Sequence, residues 1–388
     1  MQKIRVVSLF SGCGGLDLGF IQAGYTIVWA NDFFRDAVQT YRKNIGNHIV
    51  HGDITQISSE DIPDCDVLIG GFPCQSFSIA NTNRSMEDKR NFLYLEVLRV
   101  LRDKKPNFFV CENVKGLLSM GKGRILDMIV KDFSELGYKV DYHLMRASDY
   151  GVPQHRERVI IIGNRLGLEN VFPEKKDIPH VSVSDVCKHL YDIRTRDESF
   201  ELDGIEIHNH VASTNVADTF WARKHPVKQH DICDYLRQWR CKSDWTIKKI
   251  DRHLGYRHTS AHWFRKDNYG TIPNPNDWWK LKEILGFDDT YDMAVTELEQ
   301  KDITFEQSLR INNWDTPSDT ILTTSPEIHP NKKRRMSVRE CAIIQTFPNN
   351  FVFTGSLSSM YKQIGNAVPV LLGKEIAETI KPCILRKK

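Results

Sequence analysis

Val67-Leu68-Ile69-Gly70-Gly71-Phe72-Pro73-Cys74-Gln75-Ser76-Phe77-Ser78 is an apolar run that ends in two glycines and delivers a proline–cysteine pair into a polar loop. Such a run, cut off by Gly-Gly, reads as a central parallel strand stopping at its carboxyl end, the edge at which open α/β sheets bind ligands. Pro73 fixes the backbone immediately before Cys74. A stiff loop can hold a nucleophile in place, and a helix starting after it would favour thiolate over thiol through its free N–H groups. Read alone, the stretch also fits an ordinary buried cysteine, since free Cys is among the most buried residue types.

Working outward, residues 3–10 read as a first strand, 11–15 as a tight glycine turn and 16–23 as a helix ended by Gly24. A second strand over 26–30 leads to Asn31-Asp32, a helix follows over 35–44, and a short strand near 48–51 leads to Gly52-Asp53. Beyond Cys74, helices are expected over 93–101 and 124–136, with strands over 108–111, 139–145 and 158–163. The alternation predicts an α/β fold with a mostly parallel sheet. It stops at Asn164, where the composition turns polar, aromatic and irregular to about Pro330, with turn signals such as Ile272-Pro273-Asn274-Pro275-Asn276. A helix over 337–345, ended by Phe347-Pro348, and a closing helix over 371–380 restore apolar periodicity. The expected organisation is a main domain from 1–164 and 326–388, with a smaller irregular domain inserted over 165–325.

With 388 residues and 40% hydrophobic content, the chain can bury a substantial core. No apolar stretch approaches a membrane span, and Met1-Gln2-Lys3-Ile4-Arg5 runs into a strand without a signal-peptide pattern, so a cytoplasmic location is expected. Nine cysteines with no Cys-x-x-Cys spacing point to reduced thiols. Net charge is +3, unevenly spread: residues 1–164 carry 20 Lys/Arg against 19 Asp/Glu, 165–220 carry 6 against 11, and 221–270 carry 12 against 5. The last window also holds Trp221, Trp239, Trp245 and Trp263. Cations interleaved with aromatic rings suit a nucleic-acid surface, though a solvated basic face has the same composition. Cys233, Cys241, His253 and His258 miss the short spacing of a zinc site, and no metal is expected.

Phe10-Ser11-Gly12-Cys13-Gly14-Gly15 joins a strand to a helix, as a nucleotide-type ligand requires. Asp32, about twenty residues on, is placed to accept from ribose hydroxyls, and Asp53 from an adenine amino group. The dinucleotide fingerprint needs a third glycine where Asp17 stands, so an adenosine ligand without pyrophosphate fits better, S-adenosyl-L-methionine being the candidate. Glu112-Asn113-Val114 puts a carboxyl group after an apolar strand, where partial burial would favour a proton-donating form; an N-cap or an ion pair with Arg156 or Arg158 is the alternative. Gln154-His155-Arg156-Glu157-Arg158 opens another strand, either aiming an arginine into the cleft or exposing alternating charges.

Together these motifs resemble the DNA cytosine-5 methyltransferases of bacterial restriction-modification systems. The glycine turn is similar to that family's first cofactor motif, and Gly71-Phe72-Pro73-Cys74-Gln75-Ser76 to its nucleophile loop. Glu112-Asn113-Val114, Gln154-His155-Arg156-Glu157-Arg158, Arg339-Glu340-Cys341-Ala342 with Gln345-Thr346-Phe347-Pro348, and Tyr361-Lys362-Gln363-Ile364-Gly365-Asn366-Ala367-Val368-Pro369 follow in the family's order. The likeness covers residues 1–164 and 315–382; between them the family carries its variable target-recognition domain. One departure is visible: the family often has an acid two residues before the Phe of the first motif, where this chain has Ser8.

The resemblance implies a Rossmann-like, adenosylmethionine-dependent fold that methylates carbon 5 of cytosine in a specific double-stranded DNA sequence. It implies attack of the Cys74 thiolate on carbon 6, with Glu112 on N3 and the exocyclic amine, and Arg156 and Arg158 in the catalytic set, Arg158 holding the base. Base flipping follows. It assigns Phe10, Gly12, Gly14 and Gly15 to the cofactor pocket, Asp32 to ribose, Phe33 to a stack on adenine, Asp53 to the adenine edge, Asn366 to the methionine end, and Gln75 and Ser76 to DNA. A monomer is expected, protecting host DNA from a restriction endonuclease that shares its site without binding it. The competing readings are a tRNA methyltransferase, a catalytically silent DNA-binding regulator, against which the Cys74, Glu112 and Arg158 set argues, and a redox role for Cys74, which lacks a nearby resolving cysteine.

Overall fold

The computed structural model describes residues 3–73, 93–214, 229–256, 277–299, 311–324 and 326–386. Its sheet comprises β1 (Arg5–Leu9), β2 (Thr26–Asp32), β3 (Ile49–His51), β4 (Val67–Gly70), β5 (Phe108–Val114), β6 (Lys139–Arg146) and β7 (Glu157–Asn164), in the order β3-β2-β1-β4-β5-β7-β6. The first five strands pair in parallel, and β7 runs antiparallel to both its neighbours. Chain order reverses direction across the sheet between β1 and β4, so the loops after these two strands open at the switch point where α/β folds bind ligands.

Strand alternation sends side chains to opposite faces. Ile4, Val6, Val67 and Ile69 join one core, and Val7, Leu9 and Leu68 the other. The first core is covered by α1 (Gly15–Gln22), α2 (Arg35–Asn44) and the closing helix Val370–Leu385; the second by α3 (Leu93–Lys104) and α4 (Arg124–Glu135). Because β4 is buried on both faces, Val67 to Gly70 has no polar residue. The closing helix is longer than the predicted 371–380. Strand β5 also exceeds its predicted 108–111: β7 pairs with it from Phe108 through Val114, which keeps Glu112 inside the sheet instead of in the loop beyond it.

By packing, the chain forms two units: 1–211 with 313–324 and 337–388, and 212–312 with 325–336. The expected boundary after 164 is therefore displaced. Residues 165–211 stay with the sheet because Asn164 Nδ2 donates to Leu168 O (2.9 Å), Tyr150 to Pro173 O (3.2 Å), and His210 Nδ1 meets Ser337 Oγ (3.0 Å). Residues 313–324 also return there: His155 N donates to Ser318 O (2.8 Å) and Ile321 N to Gln154 Oε1 (3.1 Å).

The smaller unit is less irregular than its composition suggests. Helices Gln229–Lys242, Ile247–Leu254, Asp277–Leu285 and Asp292–Glu299 surround a core of Ile232, Leu236, Ile250, Trp278, Leu281 and Val295. Trp278 is fully buried, its indole N–H donating to Asp292 Oδ1 (2.7 Å). Among the described residues no helix is long and apolar enough to cross a membrane.

Candidate active site

The glycine turn leaves β1 with Phe10 and Gly12 both at positive φ (54° and 55°). Asp32, at the end of β2, shapes it: Oδ2 accepts from Gly12 N (2.7 Å) and Oδ1 from Phe34 N (2.7 Å). Burial pushes its carboxyl group up, opposed by those two backbone donors. The turn glycines serve different ends. A Cβ on Gly12 would meet nothing within 4 Å, leaving that side of the turn open, whereas one on Gly14 would strike Ile45 (2.3 Å) and one on Gly15 the Val368 carbonyl (2.4 Å). At Gly14 and Gly15 the absence of a side chain is thus required by packing as well.

Phe33, next to Asp32, is 74% exposed and offers a free face for a flat partner. Asp53 is exposed, and its side chain caps Thr55 N (3.0 Å). Asn366 ends the helix Leu357–Asn366 and is exposed. That helix closes the turn from behind, where Cys13 Sγ reaches Gln363 O (3.7 Å). An open backbone turn, a carboxylate on the next strand and a free aromatic face fit an adenosine-type ligand.

The second half of the site forms at the ends of β4 and β5. Glu112 and Arg158 sit diagonally across the antiparallel β5–β7 pair, since Glu112 faces Ile160 and Arg158 faces Val114. They form an ion pair (Nε to Oε1, 2.6 Å), each side chain only 12% exposed. This is the ion-pair alternative, with Arg158 as partner. Gly71 lies against the same carboxylate: a Cβ there would fall 2.8 Å from Glu112 Oε2. Asn113, buried, donates to the Phe72 carbonyl (3.0 Å) and accepts from Val114 N (2.9 Å), clamping the start of the proline–cysteine loop onto β5. Cys74, Gln75 and Ser76 lie outside the described residues.

Arg156 does not join this pair. It is buried, its Nη2 donates to Gly365 O (2.9 Å), and burial, then the neighbouring Arg158, lowers its pKa to about 9. It braces β7 against the closing segment. The charges of 156–158 are therefore not an exposed alternation: Arg156 and Arg158 turn inward, and Glu157 turns out to Lys115 (2.7 Å). Arg339 is likewise buried and internal, donating to His208 O (2.7 Å) and Pro348 O (2.8 Å).

In the smaller unit, Trp239 and Trp245 pack on its core, with Lys242 and Lys249 over their rings (5.2 and 4.5 Å to the centroids). Trp221 and Trp263 lie outside the described residues. His253 meets the Trp245 ring edge-on (5.4 Å), and Cys241 is exposed; the Cys233 side chain and His258 are not described. The residues missed from sequence are Asn113, quoted but given no task, and Asp17, read only as an absent glycine.

A family model for C-5 cytosine-specific DNA methylase matches residues 4–382. The chain belongs to that family. It is a DNA cytosine-5-methyltransferase, and S-adenosylmethionine is its methyl donor. It is 34% identical to the Type II methyltransferase M.NgoFVII of Neisseria gonorrhoeae, over 98% of this chain and 87% of that one, and 32% identical to M.FnuDI of Fusobacterium nucleatum, over 99% and 96%. A crystal structure of a prophage-encoded DNA modification methyltransferase from E. coli superposes with a TM-score of 0.63 at 22% identity, covering 99% of this chain and all of that one; this likeness concerns the fold.

Proposed function

We propose that this enzyme methylates a cytosine flipped out of double-stranded DNA through a transient bond between Cys74 Sγ and carbon 6. The observation that carries the reading is the Glu112–Arg158 pair held against Gly71, with Asn113 gripping the Phe72 carbonyl two residues before Cys74. Carbon 5 is a poor nucleophile while the ring is aromatic; addition of the thiolate at carbon 6 removes that aromaticity, and once carbon 5 is methylated, loss of its proton expels the thiolate and restores the ring. Glu112 faces N3 and the exocyclic amine, where charge develops; Arg158 fixes the carboxylate and balances that charge. Arg156 positions β7 without touching the base. S-adenosylmethionine, when bound, supplies an electrophilic methyl group on sulfur, and Phe10, Gly12, Asp32, Phe33, Asp53 and Asn366 form its pocket.

None of these groups reaches a base inside a stacked duplex, which is why flipping belongs to the reading. The smaller unit, with Gln75 and Ser76, grips phosphates and reads flanking bases. The relatives named as Type II methyltransferases support a role in shielding host DNA from a nuclease of the same specificity. Trapping on DNA carrying 5-fluorocytosine tests the chemistry: the wild type forms an adduct that survives denaturation and Cys74→Ser forms none. An adduct that persists in Cys74→Ser, or methyl transfer to tRNA in preference to DNA, overturns the reading.

A further inference from the structure

The chemistry above leaves unused a buried acid beside the glycine turn. Asp17, on α1, is 1% exposed; its Oδ1 accepts from Ser8 Oγ (2.8 Å) and its Oδ2 from the Tyr41 hydroxyl (2.8 Å). Ser11, within the glycine turn, donates to Ser8, its Oγ lying 3.0 Å from Ser8 Oγ and 3.2 Å from Ser8 O. The Tyr41 hydroxyl lies 3.1 Å from His48 Nε2. A continuous path therefore runs from the turn, through the end of β1, to the carboxylate.

Its direction depends on charge. A hydroxyl has one proton to give. An ionised Asp17 accepts from Ser8 and Tyr41 at once, so the Ser8 oxygen is left as an acceptor for Ser11. A neutral acid would have to donate one of those bonds and reverse part of the path. Asp32 holds the same turn from its other side through Gly12 N, so two carboxylates fix residues 8–12 between them.

We propose that Asp17 is a positioning residue for S-adenosylmethionine, holding the turn at 10–14 in its binding shape through Ser8 and Ser11. A carboxylate at position 8 itself would meet Ser11 one step nearer the turn. The neighbouring titratable groups are Asp32, Cys13, Tyr41 and, beyond Tyr41, His48. Burial raises the Asp17 pKa to about 6, so an ionised Asp17 at neutral pH opposes folding. A side chain there only for packing would do better as the neutral amide.

The test rests on the cofactor alone and leaves the covalent step aside. S-adenosylhomocysteine affinity, by calorimetry, and apo-enzyme Tm are measured at pH 7.5 for wild type, Asp17→Asn and Asp17→Asn with Ser8→Asp. Asp17→Asn should raise Kd about tenfold or more without lowering Tm, and Ser8→Asp should recover most of that affinity. A Kd within about twofold of wild type in Asp17→Asn, or a weaker one accompanied by a lower Tm and no recovery in the double variant, overturns the proposal.

Discussion

Asn113→Ala isolates the clamp on the segment that leads to Cys74. The side chain is 2% exposed, and its loss leaves the Phe72 carbonyl without the amide donor at 3.0 Å, in a residue that is itself 2% exposed. A buried acceptor stripped of its partner costs about 1–3 kcal/mol. That energy falls on the two residues preceding Cys74, and a misplacement near 1 Å at a reacting atom costs roughly a hundredfold in rate. The turnover rate should drop about tenfold to a hundredfold, with Tm lowered by only a few degrees. S-adenosylhomocysteine affinity should not change, because the turn at Gly12 is held by Asp32 and not by Asn113. Single-turnover transfer of a tritiated methyl group to DNA, beside calorimetry and a thermal melt, separates these effects. A rate within about threefold of wild type would show that the clamp does not position the loop; a matching loss of cofactor affinity would show that the damage is global.

Glu112→Gln should keep DNA and cofactor affinity while turnover falls about a hundredfold or more, read by the same single-turnover assay. Asp32→Ala removes the acceptor for Gly12 N and Phe34 N and should weaken S-adenosylhomocysteine binding about tenfold or more, measured by calorimetry. For Asp17 the folded pKa of about 6 lies above the ordinary 3.8, so its contribution is fully present below 3.8 and is lost as pH rises through 6, about 3 kcal/mol in all. Denaturant melts of wild type and Asp17→Asn should therefore diverge between pH 4 and 6 and run parallel above. Gly15→Ala should lower Tm steeply, since the new methyl would lie 2.4 Å from the Val368 carbonyl.

Residues at strand ends were legible because burial and chemistry change together there: an unbroken apolar run followed by Asp32, Gly71 or Glu112 marks both the sheet and its working edge. What stayed hidden depends on contacts between distant segments. Asn113 grips Phe72 across 41 positions, and Arg156 reaches Gly365 across 209, so neither leaves a local periodicity. Asp17 stands where a dinucleotide fingerprint needs glycine, and its partners Ser8 and Tyr41 meet it only once α1, α2 and β1 are packed. In the smaller unit, the aromatic and basic residues of 221–270 suit an open surface, yet Trp239 and Trp245 pack against a helical core. An amphipathic indole serves either end, and only the partner decides.

The direction of β7 explains why one edge of the sheet can hold the whole reaction. β1, β2, β4 and β5 all point their carboxyl ends the same way, bringing the Phe10 turn, Asp32, Gly71 and Glu112 to that edge. A parallel β7 would begin at the opposite edge and carry Arg156 and Arg158 away from Glu112 by the length of the strand. Running antiparallel, it starts where β5 ends, so the residues that open it meet those that close its partner, and the register sets Arg158 diagonal to Glu112. A guanidinium on a two-residue offset has the reach to close that diagonal, and its partner carboxylate covers Gly71, the last bend before the loop of Cys74. The reversed strand is thus what joins the edge shared by the Phe10 turn and Asp32 to the Glu112–Arg158 ion pair.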